Sequence, residues 1–402
     1  MVMAPRSTPL PGPDIEGFDA APHSPDAAVA ARARKGRGAI GNPANRYDSQ
    51  STVAVDDGWG SSDDRDAAKA NAHPDDEDPP RLATTLTRDA TRTIIARNTS
   101  PDVPFDRSIN PYRGCEHGCI YCFARPSHAY LGLSPGLDFE TKLLFKPDAA
   151  QLLRQELSRK GYRCNVMAMG TNTDPYQPVE RELKVTRAIL QVLAEFNHPV
   201  GIVTKNHLIT RDIDILAPMA QRQLAEVFVS VTTLDRHLAN VMEPRASTPT
   251  RRIAAIKQLS EAGIPTGVMS APMIPAINDH EMEAILEAAA AAGATRAGYT
   301  VLRLPLEIGP LFEEWLREHF PGRAEHVLSL VRQTRGGKLY DSDWAQRMTG
   351  TGTYAELLRT RFALATRKFE MNRFRYTLDI TQFRVPPGAA DSKQDRNQLS
   401  LF

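Results

Sequence analysis

The stretch SINPYRGCEHGCIYC, Ser108–Cys122, joins a short strand candidate to three closely spaced cysteines. The chain has 402 residues but only four cysteines, far too few for a disulfide scaffold. Three of them, Cys115, Cys119 and Cys122, lie within eight residues, which favours metal binding over disulfide formation. Because the loop follows a strand candidate, we expect it at the carboxyl end of a parallel sheet, where α/β folds place their sites.

Short apolar segments alternate with amphipathic helical patterns downstream of this loop. The strand candidates are Ser108–Arg113, Asn165–Gly170, Val200–Lys205, Val227–Thr232, Thr266–Ala271 and Ala297–Leu302. The helix candidates between them are Pro147–Lys160, Val179–Phe196, Arg211–Gln223, Thr248–Ala262 and Asp279–Ala292. This alternation predicts an α/β fold with a parallel sheet, and six strands predict a partial (β/α)6 TIM-like barrel.

The composition predicts four segments. Residues 1–85 are poor in large apolar side chains and are expected to form a disordered tail. Residues 86–305 hold the barrel, and 306–384 hold a helical C-terminal extension with candidates Leu311–Phe320, Arg323–Thr334 and Tyr354–Phe369. Residues 385–402 are expected to form a flexible tail.

The net charge of +1 averages unlike segments. Residues 56–78 carry −7, so the rest of the chain carries +8. The acidic segment is either a solvated part of the tail or a sign that the basic remainder contacts a polyanion. No run approaches the roughly 20 apolar residues of a membrane span, and no signal pattern begins the sequence. We therefore expect a cytoplasmic protein without a membrane partner.

Residue chemistry alone leaves two metals open. A structural zinc site needs four closed ligands, and His117 or His128 could complete one. An iron–sulfur cubane with three protein thiolates instead leaves one iron open for a substrate or cofactor. The fourth cysteine, Cys164, lies 42 residues after Cys122 and is expected to be a small core residue.

The Cys-x3-Cys-x2-Cys spacing, with Tyr121 before the last cysteine, resembles the radical S-adenosylmethionine (radical SAM) superfamily. The flanking sequences Asn110–Gly114 and Cys122–Arg125 resemble the branch grouped with spore photoproduct lyase, in particular a large bacterial subgroup. The resemblance spans about 37–369. It implies a [4Fe–4S] cluster on Cys115, Cys119 and Cys122, and S-adenosylmethionine as the second cofactor. It also implies an electron donor such as flavodoxin or ferredoxin, and a 5′-deoxyadenosyl radical that abstracts hydrogen from substrate.

The resemblance also implies a set of cofactor-binding residues. Tyr121 would pack near the adenine, and Thr171, Asn172 and Asp174 would bind the methionine amino group, although the usual Gly-Gly-Glu-like sequence is absent. An ammonium needs oxygen acceptors, which these residues offer. The alternative is a polar turn that caps the following helix.

Three more residues follow the later strands. Lys205 would pair with the methionine carboxylate, or it is a surface lysine with a buried stem. Ser230 would bind the ribose or the carboxylate, and Met273 would line the adenine pocket. The nearby Glu243 and Arg245 form either a structural pair or a ligand site.

No catalytic residue beyond these ligands can be assigned. Spore photoproduct lyase returns hydrogen from a cysteine at the end of its second strand, where this chain has Met169 or Gly170. Cys164 lies roughly 16 Å earlier along the strand, so we do not predict spore photoproduct repair. Three tyrosines are alternative radical relays or simply core aromatics: Tyr112, Tyr176 and Tyr299.

The last five residues are Gln398, Leu399, Ser400, Leu401 and Phe402. They resemble the peptide by which bacterial replication and repair proteins bind the polymerase sliding clamp, although an apolar tail folded onto its own domain is the alternative. This resemblance and that to the lyase branch favour nucleic acid as the substrate, in a lyase of DNA-repair type. Two other functions stay open: a non-enzymatic, metal-stabilised scaffold at the clamp, and radical modification of RNA or protein.

Overall fold

The main sheet of the protein has seven strands. Our computed structural model describes residues 33–47, 82–344 and 346–387. The strands are β1 Thr85–Arg88, β2 Ile95–Arg97, β3 Arg107–Ile109, β4 Tyr112–Arg113, β5 Lys142–Phe145, β6 Met167–Met169, β7 Val200–Thr204, β8 Ala225–Ser230, β9 Thr266–Met273 and β10 Arg296–Val301. The main sheet has the order β10-β9-β8-β7-β6-β3-β2.

Six of these strands are parallel, and they are the six that the sequence predicted. β3, β6, β7, β8, β9 and β10 run in one direction, while β2 pairs antiparallel at the edge. They are rich in fully buried Val, Ile and Met side chains because helices cover the sheet. The predicted fold class, a partial (β/α)6 barrel, is confirmed.

The helices connect successive strands. They are α1 Leu137–Thr141, α2 Ala149–Leu157, α3 Glu180–Leu183, α4 Val185–Glu195, α5 Ile213–Ala220, α6 Arg236–Met242, α7 Pro249–Glu261, α8 Met282–Ala291, α9 Ile308–His319, α10 Ala324–Gln333 and α11 Gly352–Lys368. The predicted helix Val179–Phe196 is divided because Lys184 adopts a left-handed backbone with φ of 52°. The Glu180 carboxylate then accepts the amide N–H of Thr186 at 2.9 Å, at the start of α4.

A smaller three-stranded sheet, β1-β5-β4, supports the cysteine loop. β4 ends at Arg113, directly before the loop, and pairs antiparallel with β5. The N–H of Cys115 donates to the carbonyl of Phe139, a residue of α1, at 2.9 Å. No sequence pattern predicted this sheet, because its strands are only two to four residues long.

Residues 33–47 were expected to belong to a disordered tail, but they pack against the cysteine loop. Ala39 and Ile40 are buried, and the N–H groups of Gly38 and Ala39 donate to the Glu140 carboxylate at 3.0 and 2.9 Å. A Cβ on Gly38 would lie 1.8 Å from the carbonyl oxygen of Gly118, so only glycine fits. The remaining residues of the predicted tail up to 81 lie outside the described residues.

Helices α9 and α10 form a second apolar cluster beside the loops at the carboxyl edge of the sheet. Trp315 of α9 is fully buried and donates its indole N–H to the carbonyl of Val241 at 3.0 Å. The same cluster includes Cys119 and Tyr121 of the cysteine loop and Leu302 after β10. The C-terminal helices therefore enclose one side of the loop. In the described ranges, no helix is both long and apolar enough to cross a membrane.

Candidate active site

The three cysteines occupy a tight loop at the carboxyl edge of the sheet. Cys115 and Cys119 are buried and Cys122 is half-buried. The carbonyl of Cys115 accepts the N–H of Gly118 at 3.3 Å, and that of Cys119 accepts the N–H of Cys122 at 3.2 Å. The three cysteines therefore lie on two consecutive turns.

The electrostatics of the loop favour neutral thiols in the protein alone. Burial, followed by the charge of Asp174 and of the other two sulfurs, raises the pKa of Cys115 well above its usual range. Burial likewise raises the pKa values of Cys119 and Cys122. Iron binds thiolates, so its charge would replace the protons that these thiols otherwise retain.

Arg125 is the central support of the loop, and it is fully buried. Its guanidinium donates to four backbone carbonyls at 2.9–3.2 Å, those of Gly118, Cys119, Pro135 and Gly136. It also donates to the Glu140 carboxylate, which in turn accepts the amides of Gly38 and Ala39. We call Arg125, Glu140 and these backbone groups the brace. The sequence analysis used Arg125 only as part of the lyase-like flank.

Gln177 supports the other side of the loop and was also missed. Its fully buried amide donates to the carbonyl of Gly114 at 3.2 Å and accepts the N–H of Glu116 at 2.8 Å. Glu116 then pairs with Arg245 at 2.9 Å. Arg245 therefore does not pair with Glu243, the partner considered in the sequence analysis. The two side chains diverge because Glu243 is drawn into a separate buried cluster.

Each histidine that could have completed a zinc site has at least one ring nitrogen in contact with another group, although the buried Nδ1 of His128 has no hydrogen-bond partner in the part of the chain that the structure describes. His117 Nδ1 lies 3.4 Å from the Asp174 carboxylate, and its Nε2 lies 3.2 Å from the Asn206 amide. His128 Nε2 lies 3.0 Å from the carbonyl of Lys142. Within 33–47, 82–344 and 346–387, no three His, Cys, Asp or Glu side chains are grouped to hold a single metal ion. The loop itself contributes three free thiols, and three protein thiolates are the donor set of an iron–sulfur cluster with one open iron.

Residues after β6 are tied to the loop that follows β3. Asn110 Oδ1 accepts the Thr171 hydroxyl at 3.3 Å and the Asn172 N–H at 3.0 Å. The Asp174 carboxylate accepts the Thr204 hydroxyl at 2.7 Å and the Lys205 N–H at 2.8 Å. Burial alone would raise the pKa of Asp174, but the His117 ring and these hydrogen bonds hold it below its usual range. Asp174 therefore fastens neighbouring loops together.

A buried polar cluster lies after β7 and β8, and we call it the Lys205 pocket. The Lys205 ammonium donates to the Ser230 hydroxyl at 2.6 Å, lies 3.4 Å from the Glu243 carboxylate and sits 5.5 Å from the centre of the Tyr121 ring. Glu243 also accepts hydrogen bonds from the Tyr121 hydroxyl and from Arg252. The structure thus brings three of the predicted cofactor residues together: Tyr121, Lys205 and Ser230.

The charges of the Lys205 pocket do not cancel. Two cations, Lys205 and Arg252, contact the buried carboxylate of Glu243, and the Asp174 carboxylate acts on Lys205 from farther away. Burial, with Arg252 adding to it, lowers the pKa of Lys205 to about 8. A pocket with one more cation than anions is suited to an incoming carboxylate. From the sequence, Glu243 was considered only together with Arg245, as a structural pair or a ligand site, and Arg252 was not considered.

Met273 ends β9 and is fully buried, 3.8 Å from the Ser270 hydroxyl. The turn after it is held by Asn278, whose side chain accepts the Ile274 N–H at 2.6 Å and donates to the carbonyl of Thr232 at 2.7 Å. This amide joins the ends of β8 and β9, and the sequence analysis missed it. Met273 therefore lies at the carboxyl edge, as expected for a residue of the adenine pocket.

The end of β6 excludes a cysteine at one of the two positions considered. Gly170 has φ of 88°, and a Cβ there would lie 2.0 Å from the carbonyl of Val203. Met169 is a fully buried strand residue, and Cys164 precedes β6 at the opposite, amino edge. The lyase-type hydrogen donor is therefore absent from both matching positions.

The three candidate relay tyrosines differ in their surroundings. The hydroxyl of Tyr112 donates to the Glu180 carboxylate at 2.5 Å. The buried hydroxyls of Tyr176 and Tyr299 have no hydrogen-bond partner in the part of the chain that the structure describes. Tyr299 packs its ring 4.6 Å from that of Phe362, centre to centre.

A loop with three thiols at the carboxyl edge of a six-stranded parallel sheet, beside a cationic pocket, defines a metallocluster enzyme of the partial-barrel class. The sequence model of the Radical SAM superfamily matches residues 109–289. An uncharacterized protein of Mycobacterium tuberculosis is 37% identical over 273 residues, which cover 67% of this chain and 76% of that protein. The chain belongs to the Radical SAM superfamily.

More distant similarities extend beyond the mycobacteria. An uncharacterized protein of Methanocaldococcus jannaschii is 28% identical over 43% of this chain and 62% of its own length. Among solved structures, a variant of spore photoproduct lyase aligns with 15% identity and a TM-score of 0.47, over 71% of this chain and 79% of that chain. The same enzyme complexed with dinucleoside spore photoproduct aligns with 15% identity and a TM-score of 0.46 over the same shares.

Membership of this superfamily identifies the cofactors. They are a [4Fe–4S] cluster and S-adenosylmethionine, the pair expected from the sequence. The roles of the individual cofactor-binding residues stay predictions. The structure shows that Glu243 and Arg252 belong to the same buried cluster as Lys205.

Proposed function

We propose that this enzyme cleaves S-adenosylmethionine reductively and directs the resulting radical at a nucleic acid. The observation that carries the first part is the three-thiol loop beside the Lys205 pocket at one edge of the sheet. Cys115, Cys119 and Cys122 would hold the cluster. When bound and reduced by one electron, the two cofactors supply a 5′-deoxyadenosyl radical.

The chain's own residues would position S-adenosylmethionine. The Lys205 ammonium would pair with the methionine carboxylate, because Glu243 is already shared with Arg252 and the pocket keeps excess positive charge. The side-chain oxygen atoms of Thr171 and Asn172 would accept hydrogen bonds from the ammonium group of the methionine moiety. Met273 would offer an apolar surface to the adenine, and Ser230 would hold Lys205 in place.

Exposed aromatic side chains support a nucleic-acid substrate. Phe123 follows Cys122 directly and is 49% exposed, with the Arg303 guanidinium 5.1 Å from its ring centre. Tyr47 and Tyr130 are 58% and 71% exposed, and the Arg46 guanidinium lies 4.9 and 5.2 Å from their rings. Exposed rings beside guanidinium groups provide surfaces on which nucleobases stack. Because these rings lie beside the cysteine loop, a nucleic-acid strand stacked on them would lie close to the site where the radical forms.

The first experiment tests cofactor cleavage. Protein reconstituted with iron and sulfide under anaerobic conditions is reduced in the presence of S-adenosylmethionine, and 5′-deoxyadenosine is quantified. We expect product from the native chain and none from Cys122→Ala, with Cys164→Ala as the matched control that retains activity. A colourless protein that yields no product in any form would support the scaffold function instead.

The second experiment tests the substrate. Pools of damaged DNA, RNA and peptide are added separately, and 5′-deoxyadenosine formation above the unstimulated rate is measured. Stimulation by nucleic acid alone supports the proposal. Stimulation by peptides alone would reject nucleic acid while leaving cofactor cleavage intact, and the RNA pool separates RNA modification from DNA repair.

We also propose that the C-terminal peptide, Gln398, Leu399, Ser400, Leu401 and Phe402, binds a bacterial sliding clamp. These residues lie outside the described part of the chain, so the proposal rests on their sequence. Deleting Gln398–Phe402 is expected to abolish co-elution with the clamp without changing the iron content. Undiminished co-elution after the deletion would disprove it.

A further inference from the structure

A cavity lies between the turn after β7 and the start of α7. Its volume is about 380 Å³. The lining residues are Arg181, Asn206, His207, Leu208, Thr210, Arg211, Ser247 and Arg251. The charged groups in this lining are guanidiniums, and no carboxylate is among them. Such a lining is suited to an oxyanion.

The arginines of this cavity are not equally available. Arg211 is neutralised, because it donates to the Glu180 and Asp212 carboxylates at 2.8 Å each. Arg181 and Arg251 are exposed, and neither has an acidic partner in the described ranges. The cavity therefore presents two uncompensated positive charges above a third, fixed guanidinium.

The start of α7 adds to this charge. α7 has 13 residues and begins at the cavity, and the side chain of its N-cap residue, Thr248, caps none of its N–H groups. The first turn of α7 contains Arg251, so helix dipole and side-chain charge act in the same direction. The Ser247 and Thr210 hydroxyls line the wall, but they donate to Asn206 Oδ1 at 3.1 Å and to the His207 carbonyl at 3.0 Å. Burial, with the charge of Arg251, lowers the pKa of His207.

The cavity is joined to the cysteine loop through one side chain. The Asn206 amide lines the cavity and also lies 3.2 Å from His117 Nε2, between Cys115 and Cys119 in sequence. Asn206 directly follows Lys205, so the same turn contributes to both sites. An anion in the cavity would therefore lie at the rim of the active site.

We propose that this cavity binds a phosphate group of a nucleic-acid strand whose reacting nucleotide lies at the cysteine loop. The inference that the ligand is a nucleic acid depends on the proposed function, whereas the inference that it carries a phosphate group depends only on the residues that line the cavity. A phosphate group carries the charge and the several acceptor oxygens that two guanidiniums and a helix N-terminus can bind together. Free phosphate compounds share this chemistry, and the experiment separates the two sources.

The test uses the full-length, cluster-loaded enzyme with Arg181→Gln and Arg251→Gln combined. Arg159→Gln is the matched control, because Arg159 is an exposed arginine at the amino edge of the sheet without an ion pair in the described ranges. Binding of a fluorescent single-stranded oligonucleotide is measured by anisotropy at several salt concentrations. Inorganic phosphate is then added as a competitor.

We expect the double variant to bind the oligonucleotide at least tenfold more weakly, with phosphate competing only against the native and control proteins. For two lost phosphate contacts on a single strand, the slope of log affinity against log salt should fall by about 1.4. Iron content and circular dichroism verify that the variant is folded and loaded.

Three other outcomes are informative. Unchanged oligonucleotide binding and unchanged phosphate competition would overturn the proposal. Loss of phosphate binding alone would support a phosphate site but reject the nucleic-acid occupant. The double variant could lose oligonucleotide binding while nucleic acid fails to stimulate 5′-deoxyadenosine formation by the native enzyme. That result would support the phosphate site but reject nucleic acid as the substrate.

Discussion

The cysteine loop is held between two buried charged clusters that differ in their balance. In the brace, Arg125 and Glu140 satisfy each other and the backbone around them. In the Lys205 pocket, two cations share Glu243 and one positive charge is left over. A buried ion pair whose charges cancel stabilises one conformation, whereas a buried cluster with an excess of positive charge can bind an anionic ligand. The two clusters should therefore respond differently to mutation.

The largest expected effect comes from breaking the brace. Arg125→Met leaves the Glu140 carboxylate buried without its cation, which typically costs about 3–5 kcal/mol. We expect a loss of that size in the free energy of unfolding, measured anaerobically with denaturant. The double variant Arg125→Met, Glu140→Leu removes both charges and should recover part of the loss. Equal stability of the single variant and the native protein would contradict the structural role of the brace.

The amino edge of the sheet provides a reference far from both clusters. Burial lowers the pKa of His198 to about 4, compared with about 6.5 in an unfolded chain. Between these values the unfolded state binds more protons, so stability falls as the pH decreases from 6.5 to 4. The loss should approach about 3 kcal/mol.

His198→Gln should remove this acid sensitivity while keeping a partner for the Tyr162 hydroxyl, which lies 2.8 Å from Nε2. Unfolding curves at pH 7 and pH 4.5 measure the difference. The prediction fails if the variant and the native protein lose stability in parallel. Variants of the brace should retain the full pH dependence of stability. This difference would separate the stability contribution of the brace, at the carboxyl edge of the sheet, from that of His198, at the amino edge.

Changing the Lys205 pocket should affect binding more than folding. Lys205→Met removes the surplus cation but leaves Glu243 paired with Arg252. Affinity for S-adenosylmethionine, measured by calorimetry on reconstituted protein, should fall about 10- to 100-fold, and stability should change by less than about 1 kcal/mol. Lys205→Arg is the control that keeps the charge. A large loss of stability with unchanged affinity would place Lys205 with the brace.

The smallest expected effect concerns the exposed surface beside the loop. Phe123→Ala should weaken oligonucleotide binding about tenfold, because one stacking contact is typically worth about 1–3 kcal/mol. The half-exposed ring contributes little to the core, so the unfolding midpoint should be nearly unchanged. Phe123→Tyr preserves the ring and should bind normally. Equal binding by the alanine variant would remove Phe123 from the substrate surface.

The short-range sequence pattern predicted the strands and the cysteine loop. Most of the residues that it did not predict are defined by contacts formed only in the folded chain. The six strands and the cysteine loop follow from short-range periodicity and spacing. Arg125, Gln177 and Asn278 have no such pattern, because each binds backbone groups that only the folded chain brings near. Residues 33–47 lack a hydrophobic period, and they are ordered through the Glu140 carboxylate instead.

The division of the predicted helix at Lys184 has a similar cause. Nothing in the apolar spacing of 179–196 marks a break, yet Glu180 and Arg211 form an ion pair that fixes the first segment separately. For the site, residue types predicted Lys205 and Ser230 at the carboxyl edge. Their buried partner Glu243 was considered only in the context of Arg245.

The backbone at Gly170 limits what this chain can become. Because a Cβ there would lie 2.0 Å from the carbonyl of Val203, no single codon change can install a thiol at that point without displacing β7. The neighbouring strand is the one that leads to Lys205, so such a displacement would shift Lys205 as well. A thiol hydrogen donor engineered into this chain would therefore have to stand at a position other than Gly170.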